Sequence, residues 1–340
     1  MLARFCQAEG SSRSATGIAM IGRLPEEHPW RLLPRASWKP LLVCLLAVGA
    51  LTGCSGASQG GGELVKVWGR HGISKGRLQK PRAITIDGND ELYIVDMTAR
   101  IQAFDLDGNY LRGWSTPAHD IGRPTGLSVD RAGNILVADT HYHRILFYTP
   151  QGELLRQIGG THGLGRGEFG FVTDVAQDSK GNYYISEYGE LDRIHKYSHD
   201  GTLIKEWGGH GREPGEFLRP QCLVIDDKDQ IWVADACNHR IQVFDTEGKF
   251  LRMWGEAGSA PGQLYYPYNI VLDGQGHLYA VEYGNHRVQK FTLDGQSLGC
   301  WGQSGREPGQ LFNPWGLVRS SDGRLFVLDT NNHRVQEIRL

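Results

Sequence analysis

The chain has 340 residues, 46 of them glycine, and a formal net charge of −2. Residues 54–340 hold 30 Lys or Arg against 35 Asp or Glu, and this acidic balance argues against a protein that binds nucleic acid. No amphipathic helical run of useful length follows residue 60, and the glycines suit many tight turns. The sequence therefore predicts an all-β fold.

The N-terminal segment differs in kind from the rest of the chain. Basic residues precede a short apolar run at 41–51, and small residues follow it in Leu51-Thr52-Gly53-Cys54. This pattern is typical of a secretory signal, because the run is too short to span a bilayer comfortably. An uncleaved apolar anchor, or an ordinary signal with an incidental cysteine, is the alternative, and Met20 is an alternative start.

Leu51-Thr52-Gly53-Cys54 also resembles the lipobox of bacterial lipoproteins, in which the cysteine is lipidated and becomes the mature N-terminus. The resemblance implies that residues 1–53 are a removed signal and that Cys54 carries the lipid. Residues 54–62 are then a flexible tether. The expected location is the bacterial cell envelope, where the exported protein is anchored to a membrane.

From residue 63 onward the chain is periodic. The segment 220–255 contains four short apolar runs separated by an Asp-rich turn, a polar corner and a Glu-Gly turn, which predicts a four-stranded antiparallel sheet. The arginine that ends the polar corner occurs six times, at Arg100, Arg144, Arg193, Arg240, Arg287 and Arg334. Six four-stranded units predict a six-bladed β-propeller, and a linear stack with polar caps is the alternative.

The ends of the periodic region favour the ring. The last copy stops after its third strand, while Glu63–Gly69 matches the fourth strand at Lys249–Gly255. We therefore predict that the N-terminal strand completes the sixth blade, so that one propeller spans residues 63–340. Closure in this way would remove an open sheet edge.

The repeated motifs carry a family resemblance. Asn238-His239-Arg240 recurs at 285–287 and 332–334, and each copy also has a Pro-x-x-[Ile/Leu]-x-[Val/Ile]-Asp-like strand or a Trp-Gly ending. The pattern resembles the NHL repeat over residues 63–340, as in bacterial NHL-repeat lipoproteins. The resemblance implies a propeller fold, but it leaves the function open because propellers carry many functions.

Residues that differ between copies are the candidates for function. The residues after the repeated proline are expected to line the mouth of the central channel, where six different blades meet. The predicted ligand-binding residues are Arg82, Thr125, Asp174, Gln221, Tyr268, Asn269 and Trp315. With no complete catalytic set, they favour a monomeric binding or scaffold module for a protein or small-molecule ligand.

Blades three and five suggest a metal site. Glu187 and Glu282 replace the usual corner aspartate, and the same blades carry Asp174 and Asn269, so these four residues are predicted ligands for Ca²⁺ in the channel. The alternative is that the two glutamates pair with Arg193 and Arg287 and that the neighbouring tyrosines widen an aromatic rim.

An enzymatic reading stays open beside the binding module. The amidating-lyase branch of NHL propellers uses zinc held by three channel histidines, whereas no predicted mouth position is histidine here. Gluconolactonase-like propellers use a divalent metal on channel carboxylates and amides. The resemblance therefore allows a metal-dependent hydrolase or lyase as the second function.

Two cysteines lie at neighbouring ends of paired strands in blade four. Cys222 and Cys237 are predicted to form a disulfide in an oxidising compartment, and two buried free thiols are the alternative. Cys300 would be left unpaired.

Overall fold

A computed structural model describes residues 61–340, which form a ring of six four-stranded antiparallel sheets. The predicted signal at 1–53, the lipidation site Cys54 and all but the last two residues of the tether at 54–62 lie outside the described residues. Within residues 61–340, no helix is both long enough and apolar enough to cross a membrane.

The strand bounds follow the predicted copies, and the sheets are named blades 1 to 6 in ring order. The first strand is β1 (Glu63–Trp68). Blade 1 holds β2 (Ala83–Ile86), β3 (Leu92–Val95), β4 (Arg100–Phe104) and β5 (Tyr110–Ser115). Blade 2 holds β6 (Gly126–Val129), β7 (Ile135–Asp139), β8 (Arg144–Tyr148) and β9 (Leu154–Gly159). Blade 3 holds β10 (Phe171–Gln177), β11 (Tyr183–Tyr188), β12 (Arg193–Tyr197) and β13 (Leu203–Gly208).

The second half of the ring repeats this arrangement. Blade 4 holds β14 (Pro220–Ile225), β15 (Ile231–Asp235), β16 (Arg240–Phe244) and β17 (Phe250–Trp254). Blade 5 holds β18 (Pro267–Leu272), β19 (His277–Glu282), β20 (Arg287–Thr292) and β21 (Ser297–Trp301). Blade 6 holds β22 (Gly316–Arg319), β23 (Leu325–Asp329) and β24 (Arg334–Arg339). Within residues 61–340, 3₁₀ turns occupy Thr140–Tyr142, Ala236–Asn238 and Thr330–Asn332.

The N-terminal strand closes the ring. Blade 6 has the strand order β22-β23-β24-β1, and β1 runs antiparallel to β24 with Glu63 opposite Arg339 and Trp68 opposite Val335. The innermost strands of neighbouring blades contact one another around the whole ring, including β22 with β2. The predicted closure and the predicted six-bladed propeller are therefore confirmed.

The hydrophobic core lies between the blades. All five residues of β15 (Ile231–Asp235) are buried, because the middle strands of a blade have a neighbouring blade on each face. Outer-strand tryptophans cover the hairpins of the next blade. A Cβ added to Gly248, which has a φ of +73°, would lie 2.5 Å from the ring of Trp207, so this hairpin requires glycine for both backbone conformation and space.

The repeated polar residues hold the corner between the second and third strands. Arg240 Nε donates to Asp235 Oδ2 at 2.8 Å, and Arg240 Nη2 donates to the carbonyl of Glu216 in the preceding link at 2.9 Å. His239, with a φ of +57°, accepts a hydrogen bond from the backbone N–H of Tyr266 in the following link at 3.1 Å. The corners and links therefore lie on one face and are held together by the repeat residues.

Candidate ligand-binding site

The inner strands begin beside the corners and links, where they enclose a cavity at the mouth of the channel. Its free volume is about 20 Å³, enough for one water molecule. All seven predicted mouth residues line this cavity: Arg82, Thr125, Asp174, Gln221, Tyr268, Asn269 and Trp315. The structure thus brings them together, and their role in ligand binding stays a prediction.

Two of these residues form hydrogen bonds between neighbouring blades. Asp174 is 7% exposed and accepts a hydrogen bond from the backbone N–H of Leu223 in blade 4 at 3.1 Å. Asn269 Oδ1 accepts one from the backbone N–H of Leu317 in blade 6 at 3.2 Å. Inner strands leave backbone groups unpaired at the sheet edge, and these side chains satisfy some of them. The floor of the mouth is therefore largely occupied by its own hydrogen bonds.

The pKa of the Asp174 carboxyl group lies above its ordinary value. Burial raises its pKa to about 7, while hydrogen bonds from the Cys222 thiol and from backbone N–H groups oppose the rise. Asn269 Nδ2 donates to Cys222 Sγ at 3.4 Å. This carboxyl group is protonated below about pH 7, and it then has no full negative charge to offer a cation.

The four predicted calcium ligands do not come together. Glu187 Oε1 accepts from Arg193 Nε at 2.5 Å, and Glu282 Oε1 accepts from Arg287 Nε at 2.7 Å. Both glutamates therefore belong to the corner ion pairs and do not line the cavity with Asp174. No group of three His, Cys, Asp or Glu residues within 61–340 is placed to hold a metal ion. The alternative pairing with the two arginines is confirmed.

The predicted disulfide between Cys222 and Cys237 is wrong. Cys222 is a free buried thiol, and it packs among residues of blades 4 and 5 such as Ile270 and Ala280. Its backbone lies opposite Ala234 in the ladder, whereas Cys237 belongs to the 3₁₀ turn beyond the end of that strand. Burial raises the pKa of the Cys222 thiol. Cys300 is also free.

Two arginines lie against aromatic rings above this floor. The guanidinium carbon of Arg82 is 5.5 Å from the ring centre of Trp315. That of Arg219 is 4.5 Å from the ring centre of Tyr188 and 5.5 Å from that of Tyr268. Such stacking holds a guanidinium group in a fixed plane. Arg219 Nε also donates to Gln221 Oε1 at 2.9 Å. The two side chains are therefore positioned, and only partly solvated.

The aromatic rings form a cluster of their own. Tyr268 stacks on Tyr283 with ring centres 4.6 Å apart, and it meets Trp315 edge-on at 5.0 Å. Burial raises the pKa of Tyr268 to about 12, so its hydroxyl stays protonated at neutral pH. The indole Nε1 of Trp315 is buried and has no hydrogen-bond partner among the described residues. The cluster offers flat apolar faces and one unused donor.

The charge at the mouth is positive. Burial lowers the pKa of Arg82, and the nearby charges of Arg219 and Arg123 act in the same direction, whereas Tyr188 and Tyr283 oppose it. None of these three arginines takes part in an ion pair within residues 61–340. An incoming cation would be repelled here, and an anion would relieve the repulsion between the guanidinium groups.

Sequence reasoning missed Arg219 as a mouth residue and treated Tyr188 and Tyr283 only as a rim. A signal was present: the residue before the repeated proline is basic at Lys80, Arg123 and Arg219. Because the residues after the proline lie at the mouth, the residues just before the proline must lie close to it as well. The Glu-Tyr-Gly departures of blades 3 and 5 likewise mark Tyr188, on whose ring Arg219 lies, and Tyr283, which stacks on Tyr268.

Comparison with known proteins supports the repeat assignment. The family model described as NHL repeat matches residues 122–148, 217–244 and 313–338. Peptidyl-glycine alpha-amidating monooxygenase B of Xenopus laevis is 35% identical over 130 residues, which cover 36% of this chain and 15% of that protein. NHL repeat-containing protein 3 of Mus musculus is 27% identical over 162 residues, covering 44% of this chain and 46% of that protein. The chain thus spans less than half of either relative.

Solved structures show the same fold. A streptogramin B lyase superposes with a TM-score of 0.57 at 16% identity, covering 79% of this chain and 95% of that one. At this level of identity the likeness extends to the fold alone.

Proposed function

We propose that this chain, which contains three matches to the NHL repeat and folds as a six-bladed β-propeller, binds an anionic ligand at the mouth of its central channel. The observation that carries the proposal is the pair Arg82 and Arg219. Both guanidinium groups lie on aromatic rings, and neither has a carboxylate partner among the described ion pairs. A carboxylate or a phosphate provides the missing charge and accepts two parallel N–H bonds from arginine.

The neighbouring rings suggest the rest of the ligand. The floor cavity holds about one water molecule, so the ligand would bind above it, among Tyr188, Tyr283 and Trp315. A flat or apolar group beside the anion would contact these rings. An aromatic or otherwise planar organic anion therefore fits this site better than a free inorganic ion.

The proposal is tested with benzoate and phenyl phosphate as probes of the two anion types. Binding to the full chain is measured by calorimetry at fixed salt, with cyclohexanol as the uncharged comparison. We expect Arg82→Gln and Arg219→Gln each to weaken binding about tenfold or more, because each variant removes a charge-assisted bond. Arg212→Gln, at an exposed link position on the same face, is the matched control and should bind as the unaltered protein does. Equal affinity in all four proteins would reject the mouth as the binding site.

A metal-dependent lyase or hydrolase is the second candidate. Its support is the similarity to amidating enzymes, together with a site whose arginines would hold an anionic substrate. The test combines metal analysis of the purified protein with an assay on a peptide ending in α-hydroxyglycine, the substrate class named for a relative from Caenorhabditis elegans. Turnover that is lost with EDTA and in Arg82→Gln would favour the enzyme. A metal-free protein without turnover that still binds the probes would favour the binding module.

Export and lipid anchoring through Cys54 complete the proposed function. The support is the basic flank, the short apolar run and the small residues before Cys54. Expression in a bacterial host followed by membrane fractionation tests the anchor. The unaltered protein should partition with membranes and gain the mass of a lipid, whereas Cys54→Ser should lose the added mass. A protein without that mass would contradict the lipidation.

A further inference from the structure

Three links on the mouth face carry the most exposed large apolar side chains of the described chain. Ile73 is 71% exposed, Ile121 is 69% exposed and Leu164 is 52% exposed, whereas the next most exposed large apolar side chain, Leu155, is 49% exposed. Each lies in a different link, and the three links are consecutive around the ring at 69–81, 115–124 and 159–170. We call these three links the tip sector.

The tip sector shares a sequence pattern that the other links lack. Histidine precedes the apolar residue by two positions and a basic residue follows two positions later, as in His71-Gly72-Ile73-Ser74-Lys75. The same pattern recurs at 119–123 and 162–166. Links 208–219, 255–266 and 302–313 carry Arg212, Ser259 and Arg306 at the corresponding position. The apolar tips are therefore confined to one half of the face.

The backbone of each tip is held in place. Tyr142 Oη accepts hydrogen bonds from the backbone N–H groups of Asp120 and Ile121 at 2.8 and 3.3 Å. Arg100 Nη1 donates to the carbonyls of Ile73 and Ser74. Gly165, next to Leu164, donates its N–H to Glu168 Oε2 at 2.8 Å. The apolar side chains thus project from ordered loops, and an ordered display reduces the entropy lost when they are buried by a partner.

Charge divides the face in the same way. The tip sector holds six Lys or Arg and two Asp or Glu, whereas the other three links hold three Lys or Arg and four Asp or Glu. Arg70, Lys75, Arg77 and Arg166 are exposed. None of these four takes part in an ion pair among the described residues. A basic half is unexpected on a chain whose residues 54–340 are net acidic.

We propose that the tip sector docks the propeller onto an anionic phospholipid surface, with Ile73, Ile121 and Leu164 entering the headgroup region. Apolar side chains flanked by cations suit this boundary, because the side chains leave water while the cations meet lipid phosphates. Protein interfaces instead favour aromatic anchors within one contiguous apolar patch, whereas these tips are aliphatic and lie on three separate links. A bilayer can accommodate separate tips because its surface deforms around each of them.

The inference does not depend on the ligand site, although Arg123 lies in the tip sector and also contributes charge at the mouth. Since the tips occupy one half of the face, docking tilts the ring and leaves the side of blades 4 and 5 turned away from the lipid. The Arg219 side of the mouth then stays open to water. Lipid docking and ligand binding are therefore compatible in one molecule.

The test uses the full chain carrying Cys54→Ser, so that no acyl chain at that position contributes. Partition is measured on vesicles of phosphatidylcholine alone and of an equal mixture with phosphatidylglycerol. We expect binding to the mixed vesicles that weakens as salt rises, since the cations contribute through screened charge. Ile73→Ser, Ile121→Ser and Leu164→Ser should each weaken partition about fivefold to tenfold, and the triple variant should reach the level seen with phosphatidylcholine alone.

Matched controls come from the other half of the ring. Leu251→Ser and Leu298→Ser alter apolar side chains that are 38% and 40% exposed on outer strands, and both should bind as the parent does. Lys75→Glu with Arg166→Glu should weaken binding, whereas Arg212→Glu with Arg306→Glu should not. These charge variants also keep the test valid if a serine variant lowers the melting temperature.

Three outcomes would overturn the proposal. The first is equal partition on both kinds of vesicle, and the second is equal loss in the tip variants and in the controls. The third is a self-associating protein that becomes monomeric in the triple variant and binds no vesicles. That result would assign the tips to a second copy of this chain.

Discussion

At the scale of single residues, the floor of the mouth depends on Asp174. This carboxyl group is buried without a basic partner, and burial raises its pKa to about 7, compared with about 3.9 in an unfolded chain. Between these values the folded protein holds a proton that the unfolded protein releases. The free energy of unfolding from this group is therefore largest below about pH 4 and decreases as the pH rises through about 7.

We predict that Asp174→Asn flattens this pH dependence. In the parent, ionisation of Asp174 lowers the free energy of unfolding by at most about 1.4 kcal/mol per pH unit between pH 4 and 7. The amide of the variant is neutral at every pH, so this decrease is absent. Urea unfolding at pH 5 and pH 8 measures the effect as the difference between variant and parent. Asp200→Asn is the control, because a hydrogen bond from Ser198 lowers the pKa of the exposed Asp200. A parent and an Asp174→Asn variant with the same slope would contradict the prediction.

At the scale of the blade, a buried glutamine on the third strand joins the corner to the preceding link in four of the six blades. In blade 4 it is Gln242, which donates to the Glu216 carbonyl at 2.7 Å and to Asp235 Oδ2 at 3.1 Å, and which accepts from the Gly215 N–H at 3.0 Å. The side chain thereby joins the blade to the preceding link. Its amide is fully buried, so each of these bonds lacks a competing water.

Blades 2 and 3 show what happens when this glutamine is absent. In blade 3 His195 occupies the position, with Nε2 3.1 Å from Glu187 Oε1 and Nδ1 3.0 Å from Glu206 Oε1. In blade 2 Leu146 occupies it. Asp139 Oδ1 has no hydrogen-bond partner within residues 61–340, whereas its counterpart Asp235 Oδ1 in blade 4 accepts from the backbone N–H of Leu218 at 2.8 Å. Blade 3 therefore places an imidazole between two carboxylates, with neither ring nitrogen in hydrogen-bond geometry to a partner within residues 61–340, and blade 2 has an aliphatic side chain at this position.

We predict that Gln242→Leu lowers the free energy of unfolding by about 2–4 kcal/mol, because it removes three hydrogen bonds and leaves buried groups without partners. Denaturant unfolding monitored by tryptophan fluorescence measures the change. The exposed Gln151, in the turn of a blade 2 hairpin, provides the control Gln151→Leu, which should change stability by less than about 0.5 kcal/mol. A loss of the same size in both variants would refute the role given to the buried amide.

At the scale of the whole molecule, β1 and β24 close the ring. The pairing joins residues separated by nearly the full length of the propeller, from Glu63 opposite Arg339 to Trp68 opposite Val335. Trp68 also packs on Phe104 of blade 1 with ring centres 5.2 Å apart. The short strand therefore contacts both the last blade and the first, and its loss would expose the edge of β24.

We predict that a chain beginning at residue 70 melts about 10 °C or more below a chain beginning at residue 63, because the shorter chain loses the β1 ladder and the buried Trp68. Differential scanning calorimetry of the two chains and of the full protein measures the effect. The chain from residue 63 serves as the control and should match the propeller transition of the full protein. Equal melting temperatures for the two truncated chains would show that the strand is not needed for closure.

The sequence alone determined the architecture and the positions that converge at the mouth. Each blade buries the same strands between the same neighbours, so the Asp, the Arg and the Trp recur at a near-constant spacing. The position after the proline then lies at the channel in every blade. The match of Glu63–Gly69 to a fourth strand likewise predicts the closure that β1 makes with β24. Such features depend on local sequence pattern and on topology, and both can be inferred from the order of residues along the chain.

The tertiary structure decided the chemistry of the mouth. Glu187 and Glu282 were expected beside a cation, yet each pairs with the arginine of its own corner, while Arg219 and Arg82 from different blades meet the aromatic rings. The direction of Cys222 was decided in the same way, since it turns into the core between blades 4 and 5. The charges that face one another across the ring are set by distances and side-chain directions between blades. The spacing of residues along the chain does not specify these distances and directions.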